Sequence, residues 1–301
     1  MYAAPQSPQS IGGVLDSTIT LFKASFRHCW AAALLYSVVN LVLTVWIQQR
    51  LVAAALEPAT GITEAMALLA SPAIWGGYLL MVIASVIINL AITAATLDIA
   101  RNRASSGALA HLGSTLPLLP GALGLFVVIM LGVMVGAIVV AIVAGIVGAG
   151  AGVGLGGSAG AAIIGFISLL LLALPCVYLV VRWSLWFAAY TDRRAGAFAA
   201  MGTSWKLVGG NWWRTLVILS VVGVIITVLL ILVAAVAGYI TAASGQDPFA
   251  QIIISAALQA GLQVLYLPAF SACLVATYMD LQLRKGGGDL EARLGNLGTQ
   301  A

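Results

Sequence analysis

The chain has 301 residues, of which 62% are hydrophobic and only 7% are charged, whereas soluble domains average about 45–50% apolar and about 25% charged residues. So few charged side chains cannot form a water-facing surface, which excludes a soluble enzyme, a nucleic-acid-binding protein and a disordered chain. The net charge of +4 fits the excess of Lys and Arg that helical membrane proteins keep on their cytoplasmic side.

Six apolar stretches are each long enough to cross the bilayer as a helix, since about 20 helical residues span its hydrocarbon core. Their apolar runs are continuous, which favours helices over the alternating strands of a membrane barrel. The sequence therefore predicts an all-α, polytopic transmembrane helical bundle over residues 11–285, between a disordered tail at 1–10 and a flexible cytoplasmic tail at 286–301. The predicted spans cover about residues 29–48, 73–97, 117–145, 161–190, 213–240 and 251–279.

The basic residues between these spans fall almost entirely on one side. The opposite side has only Arg50, together with Glu57, Glu64 and Asp247, and Arg182 lies inside the fourth apolar run. This asymmetry places the basic side and both termini in the cytoplasm. The residues on the basic side are Lys23, Arg27, Arg101, Arg103, Arg193, Arg194, Lys206, Arg214, Arg284, Lys285 and Arg293.

An internal repeat relates the segment Gly107–Gly121 to the segment Gly196–Gly210, 89 residues later. Steps of three and four residues put the large apolar side chains of each segment on one helix face. We therefore predict amphipathic helices on the cytoplasmic face, two of them here and a third, more diverged one starting at Ile11. The matched side chains are Leu109, Leu112, Leu116 and Leu119 in one segment and Phe198, Met201, Trp205 and Val208 in the other.

Each even-numbered span ends in an Asp that is followed by an Arg within four residues. An Asp near the interface could relay protons or bind a cation, but the spacing favours a local ion pair that anchors each hairpin. The predicted pairs are Asp98–Arg101, Asp192–Arg194 and Asp280–Arg284. The sequence thus predicts three parallel helix-plus-hairpin repeats, at about residues 11–98, 105–192 and 194–280.

Arg182 is the one basic residue inside an apolar run, ten residues before Asp192. Two interpretations are open. In the first, the guanidinium lies at the interface, because the fourth span ends near Arg182 or because the long side chain snorkels. In the second, Arg182 forms a buried intramembrane polar site with Tyr178 or another span.

Basic residues beside aromatic ones near the predicted interfacial helices suit anionic lipid headgroups. An unidentified membrane-protein partner is a second expectation, and no nucleic-acid partner is expected. The sequence has no catalytic motif, cofactor motif or metal-ligand spacing, so we expect no catalytic, cofactor-binding or metal site. The candidate headgroup contacts are Lys23, Arg27, Lys206, Trp212, Trp213 and Arg214.

Three segments together resemble the six-span membrane domain of bacterial glycerophosphoryl diester phosphodiesterases and its stand-alone relatives. They are IGGVLDSTITLFKASFRHCW, GAFAAMGTSWKLVGGNWWRTLVIL and ATYMDLQLRKGGGDLEARL. The resemblance covers about residues 11–294 and implies a multi-pass protein of the bacterial cytoplasmic (inner) membrane. In the fused enzymes a soluble catalytic barrel follows this domain; here the sequence stops about twenty residues past the last span, so the resemblance does not carry the activity over.

Three functions follow as hypotheses. The leading one is a non-enzymatic inner-membrane protein that organises lipid or partner proteins through basic and aromatic interfacial helices. The alternative is a transporter or channel for a small solute or lipid, with a cavity near Arg182 and kinks at Pro175 and Pro268. A weaker alternative is a membrane-embedded lipid-modifying enzyme, which would need titratable groups that converge in one pocket.

Overall fold

A computed structural model of the protein describes residues 2–56, 61–154, 174–193, 196–243 and 247–286. Over these ranges the chain is helical and has no strand. A 3₁₀ turn at Leu116–Leu118 joins two of the helices. The helices are α1 (Ile11–Ala55), α2 (Gly61–Leu69), α3 (Pro72–Ala100), α4 (Ala108–Thr115), α5 (Leu119–Gly154), α6 (residues 174–183), α7 (Trp186–Arg193), α8 (Ala197–Val208), α9 (Trp212–Ala243) and α10 (Pro248–Lys285).

Five segments of the described chain are long and apolar enough to cross a membrane. The all-α, membrane-embedded class predicted from the sequence is therefore confirmed. The first part of the predicted fourth span, 161–173, lies outside the described residues, so the six-span bundle and its repeats stay predictions. The five segments are Ile11–Ala55, Pro72–Ala100, Ala108–Gly136, Trp212–Ala243 and Pro248–Lys285.

The centre of the molecule is built where α1, α3 and α10 pack together. Their contacting faces carry small side chains, which let helix backbones approach closely in a membrane. Ala33, Ala95 and Ala272 are all fully buried. By contrast α5 and α9 expose large apolar side chains such as Val135 and Ile231, which is stable when the surrounding solvent is lipid.

One end of the bundle gathers the charged side chains of α3, α7 and α10, and we call it the charged face. It is defined by Asp98, Arg101, Asp192 and Asp280. The side chain of Asp192 joins all three helices, because it is bonded to Arg101 at the end of α3 and to Tyr278 near the end of α10. The ends of α3 and α10 therefore lie at the same level.

The first part of α1 runs along the charged face. Gln9, just before α1, donates its backbone N–H to Asp280, and Cys29 contacts Thr96, two residues before Asp98. Both contacts lie close to the same level, yet twenty helical residues extend about 30 Å. Residues 11–28 therefore run obliquely across this end of the bundle and continue into the rest of α1 without interruption of the helix.

The segments predicted to repeat begin alike and end differently. Gly107 precedes α4 and Gly196 precedes α8, as the sequence correspondence requires. At the other end α8 stops at a turn in which Gly210 has φ +83, a conformation that glycine adopts without steric cost. Its counterpart Gly121 lies inside α5, where an added Cβ would sit 2.3 Å from the Tyr190 hydroxyl.

Residues 2–10, which we call the N-terminal strap, belong to the stretch for which the sequence predicts a disordered tail, and in the structure they contact the rest of the protein. Tyr2 is buried against the main core, and this burial raises the pKa of its phenol above the ordinary value. Gln9 accepts a hydrogen bond from Ser17 on its side-chain oxygen at 2.8 Å. Long-range partners, which local sequence does not reveal, hold the strap in place.

Candidate functional site

Asp192 forms the first of three polar clusters on the charged face. Its carboxylate lies 2.6 Å from Nη2 of Arg101 and accepts a 2.9 Å hydrogen bond from the Tyr278 hydroxyl. The Asp192 side chain is only 7% exposed, so these donors compensate its lost hydration. The predicted local partner, Arg194, lies outside the described residues. Arg101 thus pairs with an Asp 91 residues away instead of with Asp98.

Asp98 is paired with a histidine instead. Nε2 of His111, on α4, lies 3.2 Å from Oδ2 of Asp98. Among the described residues these two atoms are not aligned for a hydrogen bond. Their contact nevertheless holds α4 against the end of α3. A pocket of about 110 Å³ opens beside this pair, and Arg103 and Thr191 contribute to its lining.

Asp280 is the centre of the third cluster. Its Oδ2 accepts hydrogen bonds from Arg214 at 3.0 and 3.2 Å and from Nε of Arg284 at 3.0 Å, so the predicted Asp280–Arg284 pair is present. Its Oδ1 accepts from the backbone N–H of Gln9 at 2.8 Å. Both arginines also donate to the Gln9 carbonyl. One carboxylate therefore fixes α9, α10 and the N-terminal strap together.

This geometry gives Arg214 partners inside the protein. The sequence predicts that its guanidinium contacts lipid headgroups, but the side chain is 16% exposed and its donors are directed at Asp280 and Gln9. A guanidinium so engaged stabilises the fold. It offers little to a lipid phosphate.

Arg182 is held at the junction of α6, α8 and α9. Its Nε and Nη2 donate to the Tyr178 hydroxyl at 3.1 and 2.8 Å, and Nη1 donates to the Trp205 carbonyl at 2.9 Å. The guanidinium also lies over the Trp205 ring, 4.5 Å from its centroid, a favourable cation–π distance. An added Cβ at Gly209 would come within 3.0 Å of Nη1, so the glycine makes room for the arginine.

Aromatic side chains surround this arginine, and we call the whole group the aromatic corner. Trp212 packs against Tyr178 with 5.7 Å between ring centroids and donates its indole N–H to the Tyr178 carbonyl. Tyr178 and Trp205 each remain 38% exposed. Tyr178 is thus a partner of Arg182, and the choice between a buried intramembrane site and an interfacial position stays a prediction. The corner consists of Tyr178, Arg182, Trp183, Trp205, Trp212 and Trp213.

Ser204 explains how the chain bends beside the corner. The helix is interrupted at Ser184 and Leu185, which frees backbone groups that a membrane interior leaves unsatisfied. The buried Ser204 hydroxyl donates to the Arg182 carbonyl at 2.8 Å and accepts from the Leu185 N–H at 3.2 Å. One side chain on α8 thus satisfies both sides of the break.

The other candidate headgroup residues lie on the surface. Lys23, Arg27 and Lys206 are exposed, and Trp213 is 73% exposed. Arg27 uses its Nε to donate to Nε2 of His28 at 2.9 Å. Lys206 is an exposed cation next to the aromatic corner, since it follows Trp205 on α8.

A cavity of about 260 Å³ lies between α3, α5, α7 and α10, away from the aromatic corner. One wall is polar and carries Ser85, Asn89 and Thr93 of α3, and Ser271 of α10 donates to Thr93 at 3.4 Å. Arg182 does not contribute to the described lining. This cavity is therefore not the one predicted near Arg182, which stays a prediction.

The sequence interpretation missed several residues that organise these sites. Gln9 and Ser204 act through single hydrogen bonds to distant backbone or carboxylate groups, for which a sequence has no spacing signal. Asn89 had a usable signal, because Ser85, Asn89 and Thr93 follow one another at four-residue steps and so share a face of α3.

Comparison with known proteins gives one result. A sequence family described as "Domain of unknown function (DUF7847)" matches residues 29–281. The chain belongs to this family. No curated protein and no solved structure matches it. The DUF7847 region contains the Asp192 cluster, the Asp98–His111 pair, the aromatic corner and the cavity, whereas Gln9 and Arg284 lie outside it.

Proposed function

We propose that this DUF7847 protein is a non-enzymatic integral protein of a bacterial inner membrane that binds anionic lipid headgroups at the aromatic corner. Through this contact it would organise lipid, or a membrane-protein partner, at the charged face. The observation that carries the proposal is the position of Arg182, whose guanidinium lies between exposed aromatic rings on the surface of the bundle.

The hydrogen bonding of Arg182 supports the binding of an anion by its guanidinium. An arginine has five N–H donors, and two bonds go to the Tyr178 hydroxyl and one to the Trp205 carbonyl. Two N–H groups have no acceptor among the described residues and are available to another one. A lipid phosphate suits such a planar donor pair, because arginine and phosphate can form two parallel hydrogen bonds.

The neighbouring side chains support a location at the lipid headgroups. Lys206 is exposed on α8 and adds a second positive charge. Tryptophan rings favour the membrane–water interface, and Trp205 and Trp213 are both exposed. A basic residue near an anionic surface contributes about 1 kcal/mol to binding, so the corner as a whole favours anionic over zwitterionic lipid.

The proposal includes a topology of six spans in three parallel repeats, with the charged face and both termini in the cytoplasm. The positive residues of that face support this orientation. The resemblance to the membrane domain of glycerophosphoryl diester phosphodiesterases is part of the proposal as well, and the family description neither names nor opposes it.

The test is lipid retention by the purified protein. The chain would be extracted from membranes that contain phosphatidylglycerol, and the bound lipids would be counted by native mass spectrometry. Lys206→Glu reverses an exposed charge beside the corner. We expect it to lower the retained phosphatidylglycerol roughly fivefold, which corresponds to about 1 kcal/mol.

Arg50→Glu is the matched control, since Arg50 is exposed on α1 and lies about 30 Å beyond Cys29 along that helix. We expect this change at the opposite end to leave phosphatidylglycerol retention as it is. Equal retention in the wild type and the Lys206→Glu protein would refute the proposal.

The two other hypotheses have less support. The cavity between α3, α5, α7 and α10 is lined by residues other than Arg182, so it gives no support to a transporter or channel with a site at Arg182. A lipid-modifying enzyme needs titratable groups that are free to react, whereas Asp192 and Asp280 are bonded to arginines. We therefore prefer the lipid-organising function.

A further inference from the structure

The cavity between α3 and α10 has two chemically different walls. Asn89 donates from Nδ2 to the backbone carbonyl of Ser85 at 2.8 Å and lies 3.3 Å from its hydroxyl. Its side-chain oxygen accepts no hydrogen bond within the described chain. Across the cavity the wall is formed by Phe126, Phe187 and Phe270. The cavity thus offers hydrogen bonding on one side and aromatic contact on the other.

In the proposed topology the cavity lies within the depth of the hydrocarbon core. Asn89 precedes Asp98 by nine residues and Ser85 precedes it by thirteen, which places them about 13 and 20 Å from the charged face. At this depth a polar ligand group must find its hydrogen bonds in the protein. Phe270 is 39% exposed, so the rim of the cavity reaches the surface of the bundle.

The lining selects an uncharged ligand. None of the described residues that form the cavity is ionisable, and a charge buried there would lack the partner that a membrane interior demands. The volume of about 260 Å³ is below the range of about 300–1,000 Å³ typical of sites that enclose a whole small molecule. A ligand therefore fits with its polar part inside and its apolar part along the lipid-facing surface.

We propose that this cavity binds the head of a neutral amphiphile, a lipid whose head carries hydroxyl or ester oxygens and no charge. Asn89, Ser85 and Ser271 supply the hydrogen bonds to the head, and Phe126 and Phe270 contact the start of its chains. The site is separate from the aromatic corner, so its test does not depend on anionic lipid binding.

The experiment uses the full chain in nanodiscs of phosphatidylcholine that contain a photoactivatable diacylglycerol. After illumination, mass spectrometry locates the label. We expect the label on the α3 and α10 peptides around Asn89 and Phe270, and excess unlabelled diacylglycerol should reduce it there while leaving the exposed face of α9 unchanged. Asn89→Leu should lower this labelling about fivefold, and the milder Ser271→Ala about twofold, since a hydrogen bond contributes about 0.5–1.5 kcal/mol.

Asn40→Leu is the matched control, because it makes the same change at an intramembrane position where Asn40 accepts a hydrogen bond from Gln263 outside the cavity. It should leave the labelling unchanged. Ser271→Ala keeps the test decisive if Asn89→Leu does not fold. Labelling that is insensitive to competitor and to both cavity variants overturns the proposal, and so does stronger labelling of the same peptides by phosphatidic acid with identical chains.

Discussion

Arg101 and Asp192 lie 91 residues apart in the sequence, yet Nη2 of the arginine is 2.6 Å from the aspartate carboxylate. The pair links the end of α3 to α7. Tyr278 donates to the same carboxylate from α10. Three separate helices are thus tied together at one point of the charged face.

We expect this pair to contribute measurably to stability. Asp192→Asn removes the charge that Arg101 and Tyr278 share and should lower the free energy of unfolding by about 1–3 kcal/mol, as for other charged hydrogen bonds. Thermal or denaturant unfolding in mild detergent measures the change. In a double-mutant cycle with Arg101→Gln the two effects should not add.

Arg103→Gln is the control for this cycle, since Arg103 is exposed and forms no ion pair within the described chain. It should change stability by less than about 0.5 kcal/mol. Additive effects of the Arg101 and Asp192 variants would show that the two side chains do not interact.

Gly121 is expected to tolerate no side chain. A Cβ there would lie 2.3 Å from the Tyr190 hydroxyl, which donates to the Leu118 carbonyl at 2.9 Å. Gly121→Ala must displace the tyrosine and should destabilise the protein by about 1–3 kcal/mol, as measured by its unfolding in detergent.

Gly124→Ala makes the same change one helical turn later, where nothing lies within 4 Å of the added atom. Because alanine is the better helix former, this variant should be neutral or slightly more stable. Equal stability of the two alanine variants would contradict the close contact between Gly121 of α5 and the Tyr190 hydroxyl.

Ser204→Ala tests the helix break beside the aromatic corner. The variant leaves the Leu185 N–H and the Arg182 carbonyl without their partner, and an unsatisfied buried group costs about 1–3 kcal/mol. We expect lower stability together with altered tryptophan fluorescence, because Trp205 and Trp212 pack at this junction.

Thr203→Ala is a suitable comparison, as the Thr203 hydroxyl only donates to Ala199 within its own helix. It should alter neither stability nor the emission spectrum appreciably. A Ser204→Ala protein that matches it in both measurements would contradict the bridging role.

The predicted orientation can be tested by labelling single cysteines. Starting from a Cys176→Ala background, Arg103→Cys and Lys206→Cys should react with a membrane-impermeant maleimide only in inverted vesicles. Arg50→Cys should react only from the opposite side. Native Cys29 and Cys273 are buried and serve as the unreactive baseline. Labelling of Arg103→Cys and Lys206→Cys from different sides would overturn the topology.

Membrane location and helix content follow from the sequence because they depend on long apolar runs, which are local. The partners of the charged side chains do not follow from the sequence in this way. Asp98 and Arg101 have ideal spacing for a pair, but α7 brings Asp192 closer to Arg101, and His111 on α4 takes the place beside Asp98. Such choices depend on how helices far apart in sequence pack, which no periodicity encodes.

The same reasoning explains Arg214 and Gln9. A basic residue among tryptophans is typical of a headgroup contact, and Lys206 still fits that pattern. Arg214 does not, because Asp280 and the Gln9 carbonyl are brought within reach of it by α10 and the strap. The pattern identified the right class of residue and missed a competing partner inside the protein.

The turn at Gly209 and Gly210 separates α8 from α9, whereas residues 11–28 and the spanning part of α1 belong to one helix. The two surface segments therefore differ mechanically. The glycine pair lets α8 and α9 differ in direction, but Ser204 and Trp205 bond α8 to Arg182, so a displacement of α8 is transmitted to α6, whereas a displacement of residues 11–28 is transmitted along α1 itself. A lipid that displaces α8 would therefore act first on the helix break beside Arg182, and one that displaces residues 11–28 would act directly on the long helix α1.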